Sequence, residues 1–226
     1  MKPKKMRLVV ATRNRGKVKE ILHLLLHGAE QGGRLDLDLD LVTIDEIAPQ
    51  AMLVEDEDTF EGNALAKARQ AAGATGLPAL ADDSGLEVDA LGGAPGVWSA
   101  RYAGEPSNDE RNNAKLLEAL QGVAGDQRSA RFRCVAAFVD PSRGIELTRA
   151  GSCEGRILFA PRGTEGFGYD PLVAEATTNR SMAELDLATK NRLSHRAAAF
   201  RALAKALAAL PSSGPPQIPP VTPHSP

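Results

Sequence analysis

The most constraining feature of the chain is a change of texture near its start. Met6 to Ala11 is a short, apolar, β-branched run, read as a buried strand. It breaks directly into Thr12-Arg13-Asn14-Arg15-Gly16-Lys17. From about Gly16 onward Val18, Ile21, Leu22, Leu25 and Leu26 share one helical face. The same theme returns at Pro78 to Ala81, an apolar strand that ends at Asp82-Asp83-Ser84-Gly85. Helices are expected from Phe60, where Ala64, Ala68 and Ala71 follow at helical spacing, over Asn108 to Leu120, and from Leu193 to Pro211. Asp58 and Glu61 fit a capping box for the first of these. Leu41 to Ile44 reads as a short strand. Ala130 to Val139 and Ile145 to Ile157 read as longer strands, paired antiparallel. Helices and strands alternate early and strands cluster later, so the fold class is mixed α/β.

Two stretches stand apart. Gly28 to Asp40 holds three glycines and several acids and reads as a turn-rich connection. Residues 211–226, PSSGPPQIPPVTPHSP, lack the side chains to build a core and read as a disordered tail behind a folded region of 1–210.

Charge excludes some classes of partner. With 27 Lys and Arg against 29 Asp and Glu, the net charge of −2 gives no basis for bulk attraction to nucleic acid or membrane. The basic MKPKKMR start is followed by only LVVA, too short for a signal-peptide core, and no run approaches a membrane span. The expectation is a soluble, cytoplasmic protein. Cys134 and Cys153 lie in strand-like segments without metal-spaced partners, so they read as reduced core thiols.

Four constellations carry candidate chemistry. Thr12-x-Asn14-x-x-Lys17 at a strand-to-helix turn would cradle phosphate, since helix N-terminal N–H groups favour anions. One Lys about 4 Å from a phosphate charge gives roughly 4 kcal/mol at an effective dielectric of 20. A capped surface helix start accounts for the same residues. The adjacent carboxylates Asp82 and Asp83 could hold a hard cation and polarise water, but they would point to opposite sides if the strand continued. A turn with solvated acids is the alternative. Gly166-Phe167-Gly168-Tyr169-Asp170 could lay an aromatic ring on a planar ligand, worth roughly 1–3 kcal/mol, or plug the core. Lys190 with Ser194-His195-Arg196 offers donors near the last helix, or is structural. Glu184 and Asp186 read as helix-start acids.

The segments VVATRNRGKVKEI, TFEGNALAKAR, PALADDSGLEVDALGGAPGVWSARYAG, GTEGFGYDPLV and MAELDLATKNRLSHRAAAF together resemble the inosine triphosphate pyrophosphatase family, from about residue 7 to residue 210. The resemblance implies an elongated mixed sheet flanked by helices, with two lobes around an active-site cleft. It also implies a homodimer, a Mg²⁺ cofactor, and cleavage between the α- and β-phosphates of deaminated purine nucleoside triphosphates.

By resemblance, residues 12–17 (Thr12, Arg13, Asn14, Arg15, Gly16, Lys17) would hold the triphosphate and Ser84 would contact it. Asp83 would be proton acceptor and metal ligand, with Glu55 as second metal carboxylate and Glu57 as its alternative. Phe167, Gly168, Tyr169 and Asp170, with Lys190, His195 and Arg196, would hold the base. Donors at His195-Arg196 suit a purine 6-carbonyl, and Asp170 suits a protonated N1. The chain departs from the family's usual pattern in Glu55-Asp56-Glu57-Asp58, in Gly62, in the long Gly28–Asp40 stretch and in the proline-rich tail. Rival readings are a pyrimidine-directed nucleotide pyrophosphatase, a silent nucleotide-binding regulator and an aspartyl-phosphate phosphatase.

Overall fold

A computed structural model describes residues 6–27 and 39–210. Most of the Gly28–Asp40 connection and the whole 211–226 tail therefore lie outside the described residues. Six strands form one sheet in the order β2-β1-β3-β4-β5-β6. β1 (Met6–Val10) pairs parallel with β2 (Leu39–Thr43) and with β3 (Ala79–Val88). β4 (Ser129–Asp140) and β5 (Ile145–Ile157) run antiparallel to their neighbours, as does β6 (Val173–Glu175). The expected mixed sheet and the β4–β5 hairpin are both present.

Strand alternation sorts the core. Leu8, Val10, Leu80, Cys134, Ala136 and Phe138 face α1 (Arg15–His27) and α6 (His195–Ala208). The intervening Val9, Ala11, Ala79, Ala81, Ala137 and Val139 face α3 (Phe60–Thr75). Small residues on α3 let it lie close to the sheet. On α6, Phe200, Leu203 and Leu207 are buried, each worth about 1.5–3 kcal/mol of transfer free energy. The far ends of β3, β4 and β5 build a separate cluster from Leu86, Val88, Phe132 and Ile157 with Leu116 and Leu120 of the α4 region (α4 is Asp109–Ala119) and Tyr169, Leu172 and Met182.

Four local expectations are corrected. β3 does not end at Asp82; it runs through the acids to Val88, because both flanks hydrogen-bond in register to β4. The cap of α3 is Thr59, whose hydroxyl accepts from Gly62 N–H at 3.0 Å, and not Asp58. The last helical region is broken. α5 (Leu187–Leu193) stops at Ser194, which then caps α6 by accepting from Ala197 N–H, and α6 ends at Ala208. A four-residue α2 (Ile44–Ile47) follows β2, which begins at Leu39 and leaves Ile44 to the helix. Gly151 of β5 permits the start of α6 to touch the sheet, since a Cβ there would lie 2.3 Å from His195 O.

Candidate active site

Because β3 continues, its successive side chains diverge. Asp82 and Ser84 face α6, and Asp83 faces α3. Asp82 is fully buried and receives Arg196 Nη2 at 3.0 Å and Lys17 Nζ at 3.4 Å. Burial opposes its charge, but Lys17, Arg196 and Lys67 outweigh it and hold the carboxyl far below the usual range. Ser84 Oγ accepts from Arg196 at 2.9 Å.

On the other face, Lys67 of α3 is buried between two carboxylates. Its ammonium bonds to Glu55 and lies 3.2 Å from Asp83 Oδ1. Asn63, one helical turn earlier, donates to Asp83 Oδ2 at 3.2 Å. Burial raises the Asp83 pKa above the usual carboxylate value despite Lys67 and Lys17. Burial works in the same direction at Glu55, but Lys67 and Lys17 prevail and lower it. Lys67 itself is held protonated by Asp83 and Glu55 against its own desolvation.

The same Asn63 fixes the acidic segment. Its amide accepts from Glu57 N–H at 3.0 Å and donates to Glu57 O at 3.2 Å. The Glu57 side chain lies against Gly62, while Glu55 lines the cleft. Arg101 donates to Glu55 O at 3.0 Å.

At the end of β1, Thr12 Oγ1 accepts from Asn14 N–H and Asn14 Oδ1 accepts from Lys17 N–H, at 3.2 and 3.1 Å. Thr12, Arg13, Asn14 and Lys17 line the cleft. Arg13 is nevertheless committed sideways, to Asp45 at 2.9 Å and to the carbonyls of Pro49 and Ala51 at 2.7 Å each. Arg15 and Gly16 stand outside the cleft wall. Gly16 has another use, because the Phe167 ring rests on it, 2.6 Å from where a Cβ would be.

The opposite end is organised by buried charge. Lys190 reaches Asp170 at 2.7 Å and Glu20 at 2.6 Å, and Glu20 also bonds to Arg196. Lys17, Asp82, Arg196, Glu20, Lys190 and Asp170 thus form one chain of alternating sign. Desolvation raises the Asp170 pKa although Lys190 opposes it. Asp170 Oδ2 also accepts from Phe167 N–H at 2.9 Å, closing the aromatic loop on itself. Four hydrogen bonds to protein acceptors engage Arg196, which uses four of its five N–H groups.

His195 stacks on Phe132 with ring centroids 4.9 Å apart, and its Nδ1 is buried without a protein partner. Desolvation and then Arg196 and Lys190 push its pKa well below the usual value, so the ring is neutral. Lys190 Nζ and Arg196 Cζ lie 5.0 and 5.8 Å from the Phe167 ring centroid.

These groups surround a cavity of about 430 Å³. Of the residues expected from sequence, all but Arg15, Gly16, Asp82 and the alternative ligand Glu57 line it, and Asp83 meets Glu55 through a lysine. Lys67, Asn63 and Glu20 were missed. Their signal is a polar or charged residue embedded in the inward face of a helix: Asn63 and Lys67 at a spacing of four on α3, and Glu20 beside Ile21 on α1. Cys134 and Cys153 are free and buried as expected, and burial pushes the Cys153 thiol up to about 12.

Residues 8–206 match the family described as Ham1 family. A protein named dITP/XTP pyrophosphatase from Desulforamulus reducens is 52% identical over 196 residues, 87% of this chain and 92% of that protein. A protein of the same name from Geobacter sulfurreducens is 51% identical, over 87% and 94% of the two chains. Among solved structures, a HAM1 protein from Coxiella burnetii superposes with a TM-score of 0.78 at 40% identity, over 91% of this chain and all of that one. A nucleoside-triphosphatase / dITP/XTP pyrophosphatase from Mycobacterium abscessus gives 0.68 at 39% identity, over 89% and 99%.

Proposed function

The chain belongs to the Ham1 family, and on that premise we propose that its cleft hydrolyses deaminated purine nucleoside triphosphates, such as ITP, dITP and XTP, to the monophosphate and pyrophosphate. The observation that carries this reading is one cavity with a lysine-bridged carboxylate pair at one end and an aromatic loop with neutral His195 at the other. Relatives at about half identity carry the name dITP/XTP pyrophosphatase and lend no support to the pyrimidine-directed alternative.

In this proposal Thr12, Asn14 and Lys17 bind the phosphates, with Ser84 beside them. Arg13 and Arg15 are reassigned: Arg13 braces the turn against residues 45–51. Asp83 takes the proton from the attacking water, and the burial that lifts its pKa makes it the better acceptor. Lys67 and Asn63 hold its two oxygens in place.

Glu55 and Asp83 suit Mg²⁺, a hard cation that takes one or two carboxylates plus phosphate oxygens. Among the described residues no third acid, His or Cys joins them. When bound, the ion supplies neutralisation of phosphate charge. Glu57 is set aside as ligand because Asn63 fixes its backbone and its side chain rests on the start of α3.

At the base end, Phe167 offers a stacking face. The fifth N–H of Arg196 and the His195 ring serve the 6-carbonyl. Asp170 keeps Oδ1 for the N1 proton, since Oδ2 is taken by Phe167 N–H and Lys190. Adenine would leave these groups mispaired, which can reject a substrate by on the order of 10⁴-fold. A homodimer and a cytoplasmic location complete the proposal; no described helix is long and apolar enough to cross a membrane.

The test is pyrophosphate release with Mg²⁺ from ITP, XTP, dITP, ATP, dTTP and UTP in parallel. Release confined to the deaminated purines is expected. Silence on ITP and XTP, or equal rates on dTTP and UTP, would overturn the reading.

A further inference from the structure

Helix α4 contributes no residue to the sequence motifs, yet two of its side chains close on one residue of the aromatic loop. Asp109 Oδ2 accepts from Gly168 N–H at 2.7 Å. Asn113 Nδ2 donates to Gly168 O at 2.9 Å. The two are four residues apart on one helix face. The N–H and C=O of Gly168 belong to the two peptide planes that flank it, so together these bonds fix both of its soft torsions. Gly168 sits at φ +61°, in the left-handed region. Its neighbours are Phe167, which rests on Gly16, and Tyr169, whose hydroxyl donates to Ser99 O at 2.8 Å. Asn113 Oδ1 is buried without a partner, while its Nδ2 is spent on Gly168 O.

We propose that Asp109 and Asn113 are positioning residues for base recognition: a two-point clamp from α4 that holds the Gly168 hinge and thereby sets the Phe167 face and the Asp170 carboxylate against the purine. The proposal rests on the functional reading above and adds to it a part of the protein that touches neither phosphate nor base. Asp109 borders the cavity, but its polar contact is with the loop backbone. Loosening the clamp frees a turn held in the left-handed region that glycine adopts without strain, and the loop samples orientations in which Phe167 no longer stacks. Phosphate binding at Thr12, Asn14 and Lys17 comes from other elements and is left intact. A clamp therefore predicts a loss confined to ligands that carry a base.

The experiment uses the full chain with ITP turnover, and with inosine monophosphate and inorganic pyrophosphate as competing inhibitors. The variants are Asp109→Ala, Asn113→Ala, the double variant, and Asp109→Asn, which keeps an acceptor oxygen for Gly168 N–H. The double variant is expected to raise KM for ITP and the inhibition constant of inosine monophosphate about tenfold, with kcat and the pyrophosphate constant within roughly threefold. Asp109→Asn is expected to stay within about threefold of the parent throughout. If Asp109→Ala does not fold, Asn113→Ala decides, with an expected rise of about threefold. An unchanged monophosphate constant, or a pyrophosphate constant that rises in step with it, overturns the clamp. A parent protein that releases no pyrophosphate from any purine triphosphate overturns the functional reading and the clamp with it.

Discussion

The contact between Gly16 and Phe167 links the phosphate turn to the aromatic loop, and Gly16→Ala tests it. The added methyl would lie 2.6 Å from Phe167 Cδ1, 2.9 Å from Cε1 and 3.1 Å from Cγ. Nonbonded carbons settle at about 3.5–4.0 Å, so the ring must retreat by about 1 Å. Phe167 is half-buried at the edge of the cleft and can swing without emptying the core. The fold should therefore tolerate the change, while the stacking face leaves its place. A displacement of that size at a binding group can cost up to about 100-fold; for a stacking contact that tilts rather than disappears, a rise in KM for ITP of about tenfold is expected, with kcat within about threefold. Gly73→Ala is the control. Gly73 lies inside α3 with nothing within 4 Å of its missing Cβ. It should gain about 1 kcal/mol of helix propensity, raise Tm by about 2–4 °C, and leave the kinetics alone. Steady-state ITP hydrolysis and thermal melts on both variants decide it. Unchanged KM in Gly16→Ala, or an equal rise in Gly73→Ala, refutes the reasoning.

Three more outcomes follow from the site. Asp83→Asn should fold yet lose at least about 100-fold in turnover, the usual scale for a lost general base; near-parental rates would remove Asp83 from that role. Lys67→Met should lower unfolding free energy by about 3 kcal/mol in urea titrations without divalent ion, the low end for a broken buried pair because Glu55 is partly open to water; a loss under about 1 kcal/mol would mean the carboxylates do not depend on it. His195 has a depressed folded pKa, so its contribution to stability is present above its unfolded value near 6.5 and is lost as pH falls below that. Unfolding free energies from urea titrations should fall from pH 7 toward pH 5 by up to about 1.4 kcal/mol per unit, and His195→Gln should flatten the slope. An equal slope in the variant would assign it to other groups.

Much of the fold was legible because the sequence obeyed simple periodicities. The β4–β5 hairpin, a helix over about Asn108 to Leu120 and the apolar face of α6 follow from spacing alone. What failed was local punctuation. Asp-Asp-Ser-Gly looks like a turn by composition, yet pairing with β4 and burial of Leu80, Ala81, Leu86 and Val88 on either side carried the strand through it. At α3, Thr59 won the cap over Asp58 because its own hydroxyl reaches Gly62 N–H. Within the site, most of the motif residues line one cavity, while the buried charges that hold them were passed over. Lys67 and Glu20 are of residue types that helices usually leave in solvent, and here tertiary packing turns those faces inward. Arg13 shows the reverse, a motif residue drawn away by the carbonyls at Pro49 and Ala51.

β3 places reaction chemistry and scaffold on neighbouring residues, one peptide apart. Even-numbered Asp82 and Ser84 belong to the frame under α6, and odd-numbered Asp83 belongs to the carboxylate end. A substitution in such a strand disturbs one of the two roles and leaves the other in place. The strand cannot absorb a single insertion or deletion between Leu80 and Leu86, which would rotate the later side chains through the sheet, exchanging buried counter-ion for reacting carboxylate. Length in this segment should be kept across evolution as rigidly as Asp83 itself.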